Sequence, residues 1–452
     1  MNADHSPRHI LKALRHFVFI FTLIVVATAY GIWASNTNEF PAPELKHLTE
    51  QFRAIFLNEV RNQMLSLPGS RQQIRFSGEQ PISPGLIKVV GIEEGPANFI
   101  RVIDRKGQVV QEWRPDWFEI WPKDDWLPLD RRPVAQPGAE IHGSAIASNG
   151  DLIANFEHLS TVRINACGEV VWKLPNLGHH SVHIEESSTI WVGSENYFES
   201  GSTPFPGHKA PLKSWTLQQI SPDGEILETI PVIEILMKND LLGLVYMSST
   251  SRETFVSGDT LHLNDIETFP DNLESEIFSP GDLMISLRNI NSILVIDRED
   301  HSVKFRSSGR FLRQHDPDFI SGDRILVYDN RNLEVQNNDP RRRSRILSVD
   351  ARTGLVSDYF TKRRPAFFSW VLGKHQALEN GNHLITSPLE GQVMEVTREG
   401  KEVWRYSNRV SDDHDGLLVE GAVLPVEMDS DFFLNARRRC GVDSTVEMKI
   451  PD

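Results

Sequence analysis

From about residue 73 onward, apolar residues alternate with polar ones in short runs that turn-forming residues interrupt. Phe99–Trp113 shows the unit: alternation, a turn at Gly107, then alternation again. The unit returns over Val162–Trp172 around Gly168, Leu217–Ile230 around Asp223-Gly224, Ile293–Phe305 around Asp300, Ile346–Phe360 around Gly354, and Val393–Trp404 around Gly400. Alternation of period two puts one face of a strand in a core, and Gly or Asp at the turn supplies the positive φ that tight hairpins need. Six hairpins at intervals of roughly 45–75 residues form a repeat, and this spacing fits the blades of a β-propeller.

A second kind of hairpin lies between these, and each example begins with a histidine: His142, His180, His262, His315 and His375. Pairing each with the hairpin that follows gives five four-stranded blades. The hairpin at Phe99–Trp113 then lacks its inner pair, which the segment Leu417–Phe433 can supply. The expected fold is therefore all-β, a six-bladed β-propeller over residues 73–452, closed by strands from both ends of the domain. Closure leaves only short, protected sheet edges. In such a ring the five histidines occupy one place in successive blades, near the central channel at one end.

Two other patterns precede the strands. Residues 17–33 form an apolar run near the lower limit of about 17 residues for a membrane-spanning helix, with Arg8, Lys12 and Arg15 before it. Positive charge on that side predicts an N-terminus inside and the bulk of the chain exported. We read residues 1–35 as a short tail and membrane anchor, or as a cleavable signal peptide ending near Ile32-Trp33-Ala34. Leu45, Leu48, Phe52, Phe56, Val60 and Met64 recur at helical spacing, so Pro41–Leu67 reads as a helix in a linker over residues 36–72, standing between membrane and domain or packed on the domain surface, its apolar face read as core packing rather than as a partner-binding site.

Composition narrows the function. The 452 residues carry a formal net charge of −15, which argues against a nucleic-acid surface. Arg341-Arg342-Arg343 is a local exception, read as a solvated loop, as is the oxygen-rich Asp412-Asp413-His414-Asp415-Gly416. The chain has two cysteines, Cys167 and Cys440, without the neighbours of a zinc or redox motif; outside the cytoplasm they could pair, or remain separate. No nucleotide-binding glycine loop occurs.

Convergent histidines suit metal binding, nucleophilic or general-base catalysis, or a hydrogen-bonded plug. Arg288 ends the strand Leu283–Leu287 and would reach the same region. A guanidinium among neutral imidazoles favours an anion such as sulfate, phosphate or carboxylate. A histidine beside a bound sulfuryl or phosphoryl group can attack it covalently, while Arg and a second His stabilise its oxygens.

Several segments, in order, resemble the arylsulfotransferase (aryl-sulfate sulfotransferase) family: Thr260-Leu-His-Leu-Asn-Asp-Ile-Glu267, Gly281-Asp-Leu-Met-Ile-Ser-Leu-Arg-Asn289, Arg313-Gln-His-Asp-Pro-Asp-Phe319, Val327-Tyr-Asp-Asn330 with Ser344-Arg345, and Asn380-Gly-Asn-His-Leu-Ile385. His142-Gly143 and Gly178-His179-His180 match upstream, and the resemblance runs over roughly Ile82–Leu434. It implies a six-bladed propeller outside the cytoplasm that moves a sulfuryl group from a phenolic sulfate ester to an acceptor phenol through a sulfated histidine, without a nucleotide or metal cofactor. It implies His315 as nucleophile, His262 and Arg288 as groups that bind and polarise the sulfate, and His180 as a fourth member, with His179 beside it as the alternative. Asn264, Asp316 and Asn330 would orient the rings. The segment Asp271–Pro280 either shapes the acceptor site or lengthens a turn. The competing functions are a membrane-held propeller that binds a glycan, an anionic small molecule or a protein, and a metal-dependent hydrolase.

Overall fold

The computed structural model describes residues 7–37, 39–54, 65–66, 72–77, 80–199, 201–205, 207–247, 255–333, 343–412 and 414–440. Six antiparallel sheets stand in a ring. Blade one joins Leu418–Val423, from late in the chain, to Ile87–Glu93, Ala97–Ile103 and Val109–Trp113. The inner strands of blades two to six are Ile141–Ile146, Gly178–Ile184, Leu263–Thr268, His315–Ser321 and Lys374–Ala377. The ring thus closes with strands from both ends of the domain, as the repeat predicts. The late segment supplies one inner strand rather than two: after Val423 the chain turns at Val426 and continues into the helix Ser430–Arg438.

Each interface between neighbouring blades holds its own apolar core. Ile100, Phe156 and Val162 pack between blades one and two with Trp113, Trp117 and Trp121. Ile153 and Val192 pack between two and three, and Trp215, Leu217, Ile285 and Leu294 between three and four. Phe269, Met284, Phe319 and Val327 fill the next interface, Tyr328, Ile385 and Met394 the next, and Phe99, Leu384 and Trp404 close the ring. A blade cannot bury both faces alone, so these contacts make the ring one cooperative unit.

Blades three and six carry a fifth strand that a four-stranded repeat does not predict. Val256–Asp259 runs parallel to His208–Ile220, and Ile74–Phe76 pairs with Glu402–Ser407. A disulfide joins Cys167, in the outer turn of blade two, to Cys440 after the helix Ser430–Arg438, across a Cα separation of 6.3 Å. It fastens the segment that follows the closing strand to the ring.

The N-terminal helix α1, Pro7–Thr37, contains an exposed apolar span, Leu14–Ser35, long enough to cross a membrane. A second helix, α2, is Ala42–Phe52, shorter than the periodicity implies. Leu65–Ser66, expected in that helix, instead pairs as a strand with Asp415–Gly416, and Phe56, Val60 and Met64 lie outside the described residues. Leu45, Leu48 and Phe52 face solvent and not a core. Arg341, Arg342 and Asp413 also lie outside the described residues.

Candidate active site

In an antiparallel blade the start of the inner strand and the turn between the second and third strands lie at the same end of the ring. His180 and His315 are on such strands and His262 directly precedes one, whereas Arg288 and His158 stand in such turns. The backbone departs from regular pairing where these residues enter. Register shifts occur between Ile141 and Gly143, His179 and Val182, Leu263 and Asp265, and His315 and Asp318. His180, His262 and Asp316 have φ of 57°, 51° and 48°. Such bulges re-aim side chains. The one in blade three lets consecutive residues, His179 and His180, both join the cluster. Gly143 permits the approach: a Cβ there would overlap the His180 carbonyl.

The rings of His142, His158, His179, His180, His262 and His315 form a continuous chain. Centroids lie 4.2 Å apart for His142–His180, 3.8 Å for His179–His180 and 3.7 Å for His158–His179. They are 5.1 Å apart for His180–His262 and 5.7 Å for His180–His315. His180 therefore stands between His262 and His315. Both residues of the His179/His180 pair stand in the cluster: His180 lies beside His262 and His315, and His179 beside His158, Trp215 and His262.

Hydrogen bonds assign a proton to one nitrogen of two rings. Asn330 donates through Nδ2 to the carbonyls of Ser369 (3.0 Å) and Leu372 (2.6 Å), which turns its Oδ1 toward His315 Nδ1 at 2.8 Å. An amide oxygen only accepts, so His315 carries its hydrogen on Nδ1 and a lone pair on Nε2. That Nε2 is buried with no hydrogen-bond partner among the described residues. His262 Nδ1 donates to Asp259 Oδ2, and Asp259 is fixed by Trp215 Nε1 at 2.8 Å. The Nε2 atoms of His180 and His262 are 3.0 Å apart and share one proton.

Charge follows the same division. Burial pushes the His315 pKa well below the ordinary histidine value, and the Arg288 charge lowers it further. Burial, then the neighbouring imidazoles, do the same to His180. Burial lowers His262 to about 4, against the pull of Asp259. Burial raises the Asp259 carboxyl, but its bond from His262 outweighs this and holds it at about 2. Burial reduces Arg288 to about 10, which leaves it charged at neutral pH. Asn289 Oδ1 accepts from Arg288 Nε at 3.2 Å and from Arg313. Among the described residues neither guanidinium has a carboxylate within ion-pair distance. Two such charges beside neutral imidazoles suit an oxyanion.

The sequence profile of the arylsulfotransferase (ASST) family matches residues 143–409, more than half of the chain. The chain belongs to the arylsulfotransferase family. Family membership supports arylsulfotransferase activity in general terms. A search of curated proteins gives no match. Among solved structures, this arylsulfotransferase-family chain is similar to a protein of unknown function from Bacteroides caccae, with 12% identity, 75% of this chain and 98% of that one covered, and a TM-score of 0.46. It is also similar to virginiamycin B lyase from Staphylococcus aureus (13% identity, 65% and 86% covered, TM-score 0.34) and TolB from Acinetobacter baumannii (11%, 75% and 66%, 0.38). At such identities and scores these likenesses carry no functional weight.

Not every residue that the repeat or the family resemblance places near the channel meets the cluster. His375 is turned away: strand alternation sends Lys374 into the channel instead, and His375 packs against His383, 5.0 Å between centroids, and Asp318. Asn330 orients His315 as expected. Asn264 instead donates to the Gln314 carbonyl at 2.7 Å, fixing the backbone before His315. Asp316 accepts from Lys374 and the His375 backbone rather than from a ring. The segment Asp271–Pro280 connects the first two strands of blade four, at the end of the ring opposite the histidines, and seats Phe278 against Phe269 and Phe319. It lengthens a turn.

Asp259, Arg313 and His158 are site neighbours that sequence reasoning left without a role. The spacing of Asp259 and His262 was the available signal. Lys374, paired with Asp316 and with Asp265 at 3.3 Å, and Lys88, paired with Glu420 at 2.7 Å, form a charged layer across the channel. His142, His179 and His180 place three ligand atoms within 4.8 Å of one another, as do Asp316, Asp318 and His375, so either group could hold a metal ion. At the histidine end a cavity of about 800 Å³ reaches His142 and His158.

Proposed function

We propose that this chain is an aryl-sulfate sulfotransferase that works through a sulfohistidine at His315. The observation that carries this reading is the unpartnered, buried Nε2 of His315, its lone pair specified by Asn330. The donor's sulfate would lie against Arg288 and Arg313. The His315 Nε2 lone pair attacks sulfur, the S–O bond to the phenol breaks, and its electron pair leaves on the phenolate, which takes a proton from water. The sulfuryl group stays on Nε2, and the positive ring keeps its Nδ1 hydrogen bond to Asn330.

An acceptor phenol then gives its proton to His180 Nδ1, while the His180 Nε2 proton passes to His262 Nε2. Asp259 supports the resulting imidazolium. The phenol oxygen attacks sulfur, the N–S bond breaks, and its electron pair returns to His315. His262 then releases a proton to solvent, which balances the one taken by the first phenolate. General-base assistance of this kind contributes about 10²–10⁴-fold.

We further read residues 1–35 as the anchor, residues 36–72 as a linker and residues 73–452 as the propeller, with the propeller on the extracytoplasmic side. The disulfide supports an oxidising compartment. The test is full-length protein with 4-nitrophenyl sulfate, with and without a second phenol, beside His315→Asn. Acceptor-dependent nitrophenol release that survives a chelator and vanishes in the variant supports the reading. Release that the chelator abolishes points to metal-dependent hydrolysis, and no release from folded protein points to a binding propeller.

A further inference from the structure

The inner strands start at the histidine end of the ring, and a second cavity, of about 370 Å³, opens further along them. Asp316 and Asp318 of blade five, His375 of blade six and Glu267 of blade four line it, with Lys374 and Glu420. None of these side chains takes part in the sulfuryl transfer. Carboxylates outnumber ammonium groups here. Lys374 binds Asp265 and Asp316, and Lys88 binds Glu420. Glu267 accepts from the Phe319 backbone at 3.0 Å. Among the described residues no lysine or arginine lies within ion-pair distance of Glu267 or Asp318. Buried carboxylates without a counter-charge favour a bound cation.

Carboxylates alone do not select a metal, and His375 supplies the selection. Its side chain is fully buried, and neither ring nitrogen has a hydrogen-bond partner among the described residues. Nδ1 stands 3.3 Å from Asp318 Oδ2 with no hydrogen bond between them. Buried polar groups are ordinarily hydrogen-bonded, so a ring with both nitrogens orphaned calls for a ligand. Asp316, Asp318 and His375 each bring one donor atom, and the three lie within 4.8 Å of one another. Asp316 already accepts from Lys374 and from the His375 backbone. A carboxylate has about four lone-pair sites, so Asp316 keeps capacity for a cation. One imidazole with two carboxylates is a donor set for zinc, whereas an all-oxygen set would suit calcium or magnesium.

We propose that Asp316, Asp318 and His375 bind a zinc ion that clips the inner strand of blade five to that of blade six. Water from the cavity completes the coordination. Asp316 directly follows His315, so the clip steadies the strand that carries His315 without touching the reacting groups. The clip does not depend on the sulfuryl-transfer reading.

The experiment uses full-length protein in detergent, stripped with a chelator, dialysed and then given zinc chloride. Bound zinc is counted after desalting, and thermal unfolding is followed with and without the ion. The parent is expected to retain zinc and to unfold at a higher temperature with it. Asp318→Asn and His375→Phe should each lose about one equivalent of the parent's zinc and its stabilisation. If His375→Phe fails to fold, Asp318→Asn decides, because it keeps the side chain's shape at a partly exposed position. His142, His179 and His180 form another possible donor group, so His142→Phe is the control and should keep the stabilising ion. X-ray absorption at the zinc edge of that control should show one imidazole with oxygen ligands. Absence of zinc uptake by the folded parent overturns the proposal. Uptake that Asp318→Asn leaves unchanged, or that His142→Phe abolishes, overturns it as well. Loss of transfer on stripping folded protein would count against the sulfuryl reading, and the zinc count still decides the clip.

Discussion

Asn330 faces His315 with its amide oxygen, 2.8 Å from Nδ1, because its amide nitrogen is committed to two backbone carbonyls of the segment Ser369–Leu372. One side chain thereby fixes both the ring's orientation and its tautomer. In Asn330→Ala the ring can rotate or move its proton to Nε2, which removes the nucleophilic lone pair. We expect kcat to fall about 10²-fold, within the range for losing one oriented catalytic group. The Leu372 carbonyl left unpaired should also lower stability by roughly 1–3 kcal/mol, whereas the Ser369 carbonyl keeps its bond from Ser344 Oγ. Steady-state kinetics and denaturant unfolding separate the two effects.

Asp259 supports the proton that arrives during the second half-reaction. Asp259→Asn should leave the first release of nitrophenol nearly intact and slow the acceptor-dependent step by about tenfold or more. Rapid mixing without acceptor, then with it, checks this. Equal slowing of both steps would contradict the role given to Asp259.

The pH profile follows from the depressed histidines. A nucleophile or base works when unprotonated, so activity is present above its pKa and is lost as pH falls through it. Burial and the Arg288 charge lower His315, and burial lowers His262 to about 4. The acidic limb of kcat/KM should therefore lie below the ordinary histidine value of about 6.5. Arg288→Gln removes the second-largest cause at His315 and should move that limb upward.

Lys374 sits between Asp265 and Asp316 in the charged layer of the channel. Both carboxyls are pushed upward first by burial and pulled down by this lysine. Lys374→Met strands them, at a cost of about 3–5 kcal/mol for a broken buried pair. Thermal or denaturant unfolding measures it. A change below about 0.5 kcal/mol, the usual range for a surface substitution, would show that the layer contributes little.

The repeat was legible because strand alternation and turn glycines recur along the chain, and five histidines recurred with them. Histidines 142, 180, 262 and 315 meet for that reason. His375 does not, because the side-chain period in a strand is two and a shift of one residue exchanges the channel face for the blade interior. There Lys374 takes the inward place. His179 and His180 both join the cluster only through a bulge, which pattern alone does not reveal. Asp259 ends a strand that pairs parallel to blade three, outside the four-stranded unit, so its spacing from His262 was a signal that the repeat gave no reason to use. The long spacing between Tyr328-Asp329-Asn330 and the carbonyls of Ser369 and Leu372 hid the device that fixes the Asn330 amide. The exposure of Leu45 and Leu48 on α2 was unreadable because helical spacing of leucines looks the same whether the face is buried or exposed.

The measurement that tests the central claim most directly is to trap the enzyme after one half-reaction. Full-length protein is mixed with 4-nitrophenyl sulfate without acceptor, quenched under conditions that preserve an N-linked sulfuryl group, and mapped by mass spectrometry. The account predicts a burst of nitrophenol of about one equivalent, one sulfuryl group on the peptide containing His315, and its loss when a phenol is added. A label on another residue, or turnover retained in His315→Asn, would contradict it.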